Sequence, residues 1–321
     1  MTTMRAIVID ATGGPEVLHM ADVERPTAVN AEFLVKVVAA GVNPVDAKTR
    51  AGHGASSGFS GYPVILGNDF SGIVVESSYA AHPIKVGDEV YGMTMVPRFA
   101  GSYAEYLTVP APFIAKKPRS LSHVEAAAVP LAALTAWGAV VDVAKAHEGQ
   151  SMLIHAGAGG VGHFAIQFAS FFGARVITTG STRNSDWLRE LGASDVIDYS
   201  TTRFEEVVHD VDVVIDLIGN AKDDTGTRSL GVLKPGGLIV SIPTGSWPTL
   251  AEDAAAAGVR ASGYRVPADG STLAIVSRLL ESGDVRVYVD QVFDLDEAAE
   301  AHKSLETGHT RGKIVLRVSD Y

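Results

Sequence analysis

Apolar and polar positions alternate with a period of two over MRAIVID (4–10) and run apolar over FLVKVVAAGV (33–42), stretches of strand length. GNDFSGIVVE, VGDEVYGM and YAEYLTVP continue the series between glycines and prolines, so the first third of the chain predicts a β-rich domain. Within it, RAGHGASSGFSGY (50–62) is small, polar and glycine-rich, and reads as a surface loop. At SHVEAAAVPLAALTAWGAVVDVA the period lengthens to that of a helix, opened by Ser122 and Glu125 in the S-x-x-E pattern of a capping box. From residue 150 strand alternates with helix: SMLIHA, a glycine cluster, HFAIQFASFFG, ARVITTG, SDWLRELGA ending at Gly192, DVIDY, DVVIDLIG, and LIVSIP after the turn KPGG. That alternation predicts a parallel, doubly wound sheet. The tail carries a helix in STLAIVSRLLESG, another in DLDEAAEAHKSLETG with Asp294 as cap and Glu297 at N3, and a last strand RGKIVLRV expected to return to the first domain. The reading is an α/β chain, with residues 1–122 and 270–321 forming the β-rich domain and residues 123–269 the doubly wound one.

A chain of 321 residues suits two domains. Hydrophobic residues make up 46% and charged ones 20%, yet apolar runs stay well short of a membrane span. The N-terminus begins directly on a strand pattern without the layout of a secretion signal, so a cytoplasmic location is expected. The absence of cysteine excludes disulfides, thiol nucleophiles, iron–sulfur clusters and cysteine-ligated zinc. The ten histidines are scattered without H-x-H or H-x-x-x-H spacing, and no metal is expected. A net charge of -11 without a basic run argues against nucleic-acid and anionic-membrane partners.

The segment HAGAGGVG (155–162) carries the chemistry. Gly157, Gly159 and Gly162 satisfy G-x-G-x-x-G between a strand and a helix, the context this dinucleotide fingerprint requires. Gly157 permits the tight turn, Gly159 lets the backbone approach a pyrophosphate, and Gly162 lets helix and strand pack closely. The helix beginning at Gly160 and Val161 offers unpaired N–H groups to phosphate oxygens. NAD sites place a carboxylate near the end of the second strand. Here that region reads Thr178, Thr179, Gly180, Ser181. Ser181 and Arg183 suit a 2′-phosphate, so NADP(H) is expected rather than NAD(H). The competing reading makes Arg183 one more solvated arginine. Tyr199, ending the next strand, reads either as a partner of that phosphate or of the adenosine, or as an ordinary strand tyrosine.

Seven ordered segments, AAGVNPVDAKTRAG (39–52), LGNDFSG (66–72), VGDEVYG (86–92), GSYAEYLTV (101–109), AAAVPLAALTAW (126–137), HAGAGGVG and HTRGKIVL (309–316), resemble the zinc-free quinone oxidoreductases of the medium-chain dehydrogenase/reductase superfamily, the group that includes zeta-crystallin. The resemblance covers essentially the whole chain. It implies a GroES-like catalytic domain, a Rossmann domain, an active site in the cleft between them and a homodimer. The implied activity is hydride transfer from NADPH to a quinone or other conjugated carbonyl; reduction of an enone, alkenal or enoyl C=C bond is the alternative. From another class, an inactive NADPH-binding sensor or structural protein also fits. Zinc-dependent members place a cysteine and a histidine where Asn43 and Asn68 stand here, and simple alcohol oxidation, which needs the Lewis acid, is not expected.

The resemblance also implies roles for single residues. Asn43 lies beside the nicotinamide and its ribose; Asp46 and Lys48 line the pocket, with Lys48 as donor to a developing enolate or quinol oxygen, or else are plain solvated charges. Thr135 contacts the nicotinamide end and Lys313 lies near the cofactor. Family members often carry a tyrosine shortly after the asparagine, a part for which Tyr62 or Tyr264 is available. Ile218 and Gly219, then Ser241, Ile242 and Pro243, end two parallel strands at the carboxyl edge of the sheet and are expected to flank the nicotinamide. Trp247 and Tyr264 either close the cleft or support the dimer.

Overall fold

The computed structural model describes residues 2–77, 79, 81–98, 100–221 and 223–320. They form two compact units, Met1–Leu134 with Pro267–Tyr321, and Thr135–Val266. Among the described residues no helix is long and apolar enough to cross a membrane.

In the first unit the strand Glu32–Val42 is the hub. Its residues pair antiparallel with Asp69–Ser77, Tyr106–Pro110 and Lys313–Arg317, so the tail does return to this unit. The seven-stranded sheet runs Val289–Asp294, Lys313–Arg317, Glu32–Val42, Asp69–Ser77, Glu89–Met93, Ile114–Lys116, with Tyr106–Pro110 on the hub strand. A smaller sheet joins His19–Glu24, Thr3–Ile9 and Val64–Ile65. Inward residues of these strands, among them Ile7, Val35, Leu66, Phe70, Leu107, Ile314 and Leu316, make one buried core. Each such side chain, taken out of water, contributes roughly 1.5–3 kcal/mol. Register matters more than bulk here: Gly41 lies opposite Asp69 and Val42 opposite Ile314, so the ends of three adjacent strands bring Asn43, Asp69 and Lys313 side by side.

The second unit is a six-stranded parallel sheet in the order Ala193–Asp198, Arg175–Gly180, Ser151–Ile154, Val211–Asp216, Leu233–Ser241, Arg260–Gly263. The chain winds outward from Ser151–Ile154 in one direction and then, from Val211, in the other. The winding reverses between the first strand and Val211–Asp216, the place where open α/β sheets receive ligands.

One element differs from the sequence expectation. The helical run at 122–144 is broken into His123–Ala127, Pro130–Trp137 and a wider helix Gly138–Val143. Pro130 has no N–H for the preceding turn and its fixed φ suits a helix start. At Gly138 the side chain of Tyr264 lies where a Cβ would stand, 1.9 Å from its ring carbon and hydroxyl, so glycine is required there. The capping boxes are present as expected, Glu125 accepting the Ser122 N–H at 2.8 Å and Glu297 that of Asp294 at 2.9 Å.

Candidate functional site

The first unit buries a polar cluster around the VNPVD segment. Asn43 ends the hub strand and precedes the helix Pro44–Arg50. Proline opens that helix, and Asp46 in its first turn accepts the Asn43 N–H at 2.8 Å. The Asn43 side chain is held at both ends: Nδ2 donates to Asp69 Oδ2 at 2.9 Å, and Lys313 Nζ donates to Oδ1. Flipping the amide would set its NH2 against an ammonium, so the orientation is fixed. Lys313 also donates to the Val42 carbonyl at 3.1 Å and lies 3.5 Å from Asp69 Oδ2, while Asp69 Oδ1 accepts the Leu131 N–H at 2.8 Å. Asn68 Nδ2 donates to Asp46 Oδ1 at 2.7 Å and its own Oδ1 accepts the Val96 N–H at 3.3 Å.

Two carboxyl groups and one ammonium are buried together here, Asp46 being 1% and Asp69 0% exposed. Burial dominates their proton affinities. It pushes Asp46 up to about 7, assisted by the Asp69 charge and opposed by the Asn68 and Asn43 hydrogen bonds. Burial raises Asp69 too, against the pull of Lys313, and lowers Lys313 against the pull of Asp69. Asp46 is therefore a group of this cluster that changes charge near neutrality.

Lys48 and Tyr62, also assigned by resemblance, take no part in this cluster. Lys48 is on the exposed face of Pro44–Arg50, and Tyr62 is 47% exposed, edge-on to Phe59. Lys313 is placed to hold Asn43, with its three N–H bonds directed at Val42, Asn43 and Asp69. The side-chain amides of Asn43 and Asn68 are both engaged with protein partners. Among the described residues no group of three or more His, Asp or Glu could hold a metal ion. The letters GASSG at 54–58 also spell G-x-S-x-G, but they fall in a loop with a short turn Ser56–Gly58 rather than on a strand-to-helix elbow.

In the second unit the glycine loop joins Ser151–Ile154 to the helix Gly160–Phe171. Thr179 anchors it, its Oγ1 accepting the Ala156 N–H at 3.1 Å and its carbonyl the Gly157 N–H at 2.9 Å. Thr178 Oγ1 donates to the Ile154 carbonyl at 2.7 Å. A Cβ on Gly157 would fall 2.2 Å from Thr178 Oγ1, and one on Gly162 would fall 2.3 Å from the Ala156 carbonyl. These two glycines are explained by the protein's own packing. Gly159 is not, because its nearest neighbour would be the Ala156 carbonyl at 3.3 Å. Beyond that carbonyl and its chain neighbours a side chain at 159 would meet no protein atom within 4 Å, and the helix start beside it, with the N–H groups of Gly160, Val161 and Gly162, fits a pyrophosphate.

Past Gly180, Ser181 opens a short turn Thr182–Asn184 and its hydroxyl accepts from Asn184 Nδ2 at 3.2 Å. The Arg183 side chain is exposed, and Tyr199, just beyond the strand Ala193–Asp198, is 62% exposed. Beside them stands a carboxylate that the sequence reading missed: Asp198 pairs in register with Gly180. One of its oxygens takes the Thr182 N–H and hydroxyl, the other the Ser200 N–H and hydroxyl, and these hydrogen bonds hold its carboxyl down at about 2. At the sheet's carboxyl edge Asp216 ties the two strand ends together, accepting from Ile218 N at 2.9 Å, Gly219 N at 2.8 Å and Ser241 Oγ at 2.9 Å. Ile242 and Pro243 follow half-exposed, and Thr135 is buried in Pro130–Trp137.

Also missed were Asp69 and Tyr103, which face Asp46 from two other strands or loops, and the pair His302 and Arg50, which lie behind Tyr103. A charge at the start of the apolar pattern of DFSGIVVE or on the apolar side of AAEAHKSLE was the available signal. Residues 30–119 match the alcohol dehydrogenase GroES-like domain and residues 191–316 the zinc-binding dehydrogenase family. The structure of the quinone oxidoreductase from Coxiella burnetii superposes with a TM-score of 0.93 at 40% identity, covering 99% of this chain and 100% of that one. The 2-methylene-furan-3-one reductase of Solanum lycopersicum is 37% identical over 95% of this chain and 76% of its own. The chloroplastic NADPH-dependent alkenal/one oxidoreductase of Arabidopsis thaliana is 35% identical over 98% of this chain and 79% of its own. The chain belongs to the medium-chain dehydrogenase/reductase superfamily of oxidoreductases, in its zinc-free quinone oxidoreductase branch.

Proposed function

We propose that the protein reduces a quinone or another conjugated carbonyl acceptor with NADPH, without a metal. The observation that carries this reading is Gly159, the one fingerprint glycine whose missing side chain the protein's own packing does not require. Bound NADPH supplies a hydride from nicotinamide C4. The loop N–H groups at Gly160, Val161 and Gly162 hold the pyrophosphate, and Ser181, Arg183 and Tyr199 receive the 2′-phosphate. Asp198 keeps its negative charge there, stabilised by Thr182 and Ser200, so the preference for the 2′-phosphate rests on the Arg183 cation. Thr135, Ile218, Gly219, Ser241, Ile242 and Pro243 line the nicotinamide end, and Asn43, fixed by Asp69 and Lys313, orients nicotinamide and acceptor.

Hydride addition to a conjugated acceptor places charge on an oxygen that a few oriented hydrogen bonds stabilise. The names of the Coxiella and plant relatives, a quinone reductase and reducers of enones and alkenals, support acceptors of this kind. Steady-state turnover of NADPH with phenanthrenequinone and with an α,β-unsaturated aldehyde tests the reading. Oxidation of NADPH by either acceptor supports it and the ratio of the two rates assigns the class; binding of NADPH without turnover of any acceptor refutes it in favour of a nucleotide sensor.

A further inference from the structure

Asp46 receives hydrogen bonds on every side from donors. Asn68 Nδ2 points at Oδ1, while the Asn43 N–H and, at 3.3 Å, the Tyr103 hydroxyl point at Oδ2. Asp69 and Lys313 face it through space from the two neighbouring strands. From Tyr103 a buried chain continues: the hydroxyl lies 3.1 Å from His302 Nε2, and His302 Nδ1 lies 3.2 Å from Arg50 Nη1. Arg50 is 2% exposed and held in place, with Nη2 on Glu306 at 2.5 Å and Nε on the Gly13 carbonyl at 3.1 Å.

The direction of this chain follows from one fact, that a guanidinium donates and never accepts. His302 Nδ1 must therefore accept, which leaves the ring proton on Nε2. Nε2–H donates to the Tyr103 oxygen, and the Tyr103 proton is directed to Asp46. Burial and the Arg50 charge push His302 down to about 3, so the ring stays neutral and does not break the sequence by charging. A proton placed on Asp46 meets a donor at either oxygen. At Oδ1 it faces Asn68, whose other end is committed to Val96. At Oδ2 it forces Tyr103 to turn, His302 to exchange tautomers, and a new Nδ1–H to meet Arg50.

We propose that Arg50, acting through His302 and Tyr103, keeps Asp46 an ionised acceptor and thereby keeps Asn43 in place. Arg50 and His302 are positioning residues; they touch neither cofactor nor acceptor. The link from Asp46 to rate rests on the reading that Asn43 orients the nicotinamide, and the test separates the two.

The first arm is infrared titration of the Asp46 carboxyl stretch, identified by subtraction of Asp46→Asn, which needs no turnover. Losing one hydrogen bond to a carboxylate raises its midpoint by about one pH unit. Arg50→Met and Tyr103→Phe are each expected to raise the Asp46 midpoint by that amount. The double variant is expected to match Tyr103→Phe alone, because Arg50 acts only through that hydroxyl. Additive shifts, or an unmoved midpoint in Tyr103→Phe, overturn the proposal, and Tyr103→Phe alone decides it should Arg50→Met not fold. The second arm is the pH profile of kcat/KM for NADPH oxidation. Its acid limb is expected to move upward with the infrared midpoint, the plateau at high pH staying within about twofold of the parent. A shifted midpoint with an unshifted profile leaves the chain intact and refutes the link from Asp46 to Asn43; a loss equal at every pH overturns the positioning role.

Discussion

Replacing Gly159 with alanine separates binding from folding. The residue sits at φ -79° and ψ 178°, backbone that alanine adopts freely, and the added Cβ meets only the Ala156 carbonyl at 3.3 Å. A contact a few tenths of an ångström tight costs little, and the loss of glycine's freedom in the unfolded chain returns about 0.4–1 kcal/mol. The expected change in Tm is therefore small, within about 2–4 °C of the parent. The nucleotide fares differently. A methyl group in front of the loop N–H groups pushes the pyrophosphate away from at least one charge-assisted hydrogen bond of about 1.5–3 kcal/mol, which is a loss of about 10- to 100-fold in affinity. NADPH and NADH share the pyrophosphate and should weaken together. Gly162→Ala is the control: its Cβ would fall 2.3 Å from a backbone carbonyl, and this overpacking should cost about 1–3 kcal/mol of stability. Fluorescence titration with both nucleotides and thermal unfolding of both variants measure the contrast. Parent-like nucleotide affinity in a folded Gly159→Ala would refute the assignment of the pyrophosphate to this loop.

Three further outcomes are expected. Arg183→Glu should raise the Kd of NADPH by about tenfold or more while NADH stays within about twofold, read by the same titration; equal losses would show that Arg183 does not face the 2′-phosphate. Asp46 titrates at about 7 in the folded chain, above its ordinary value near 3.9 when unfolded, so the stability it lends is present below that lower value and lost as pH rises to 7. Asp46→Asn lacks this term: whatever its offset, its Tm relative to the parent should rise between about pH 5 and pH 7 and level above it, and a pH-independent gap in differential scanning would contradict the shift. Lys313→Met leaves Asp69 buried without its cation and should cost about 3–5 kcal/mol in chemical denaturation at pH 8, with a smaller deficit at low pH where Asp69 protonates; a deficit that does not change with pH would show that the pair is not what holds the site.

The alternation of strand and helix after residue 150 made the parallel sheet legible, because a buried parallel strand announces itself as an apolar run and the glycine loop sits where the winding starts. The GroES-like sheet was legible for the same local reason in its hairpin strands. Val289–Asp294 and Arg260–Gly263 were not, being half-polar strands whose place is decided by a partner distant in sequence. The same limit applied to the site. Asn43 stood out through its motif, but Asp69 meets Asn43, Tyr103 meets Asp46 and His302 meets Arg50 across sequence separations that only strand register and helix packing reveal. Lys313, expected near the cofactor by resemblance alone, has neighbours that no sequence pattern announces: its ammonium is directed at Val42, Asn43 and Asp69. Asp198 escaped notice because the search for an acid followed the second strand, while register brings one in from the third.

The most direct test of the proposed chemistry is to supply NADPH carrying two deuterium atoms at nicotinamide C4 together with an α,β-unsaturated aldehyde and to weigh the product. Deuterium carried to the β-carbon of the saturated aldehyde, with a slowed turnover, is the predicted result. A product free of label, or a nucleotide that stays reduced in the presence of both this acceptor and phenanthrenequinone, would contradict it.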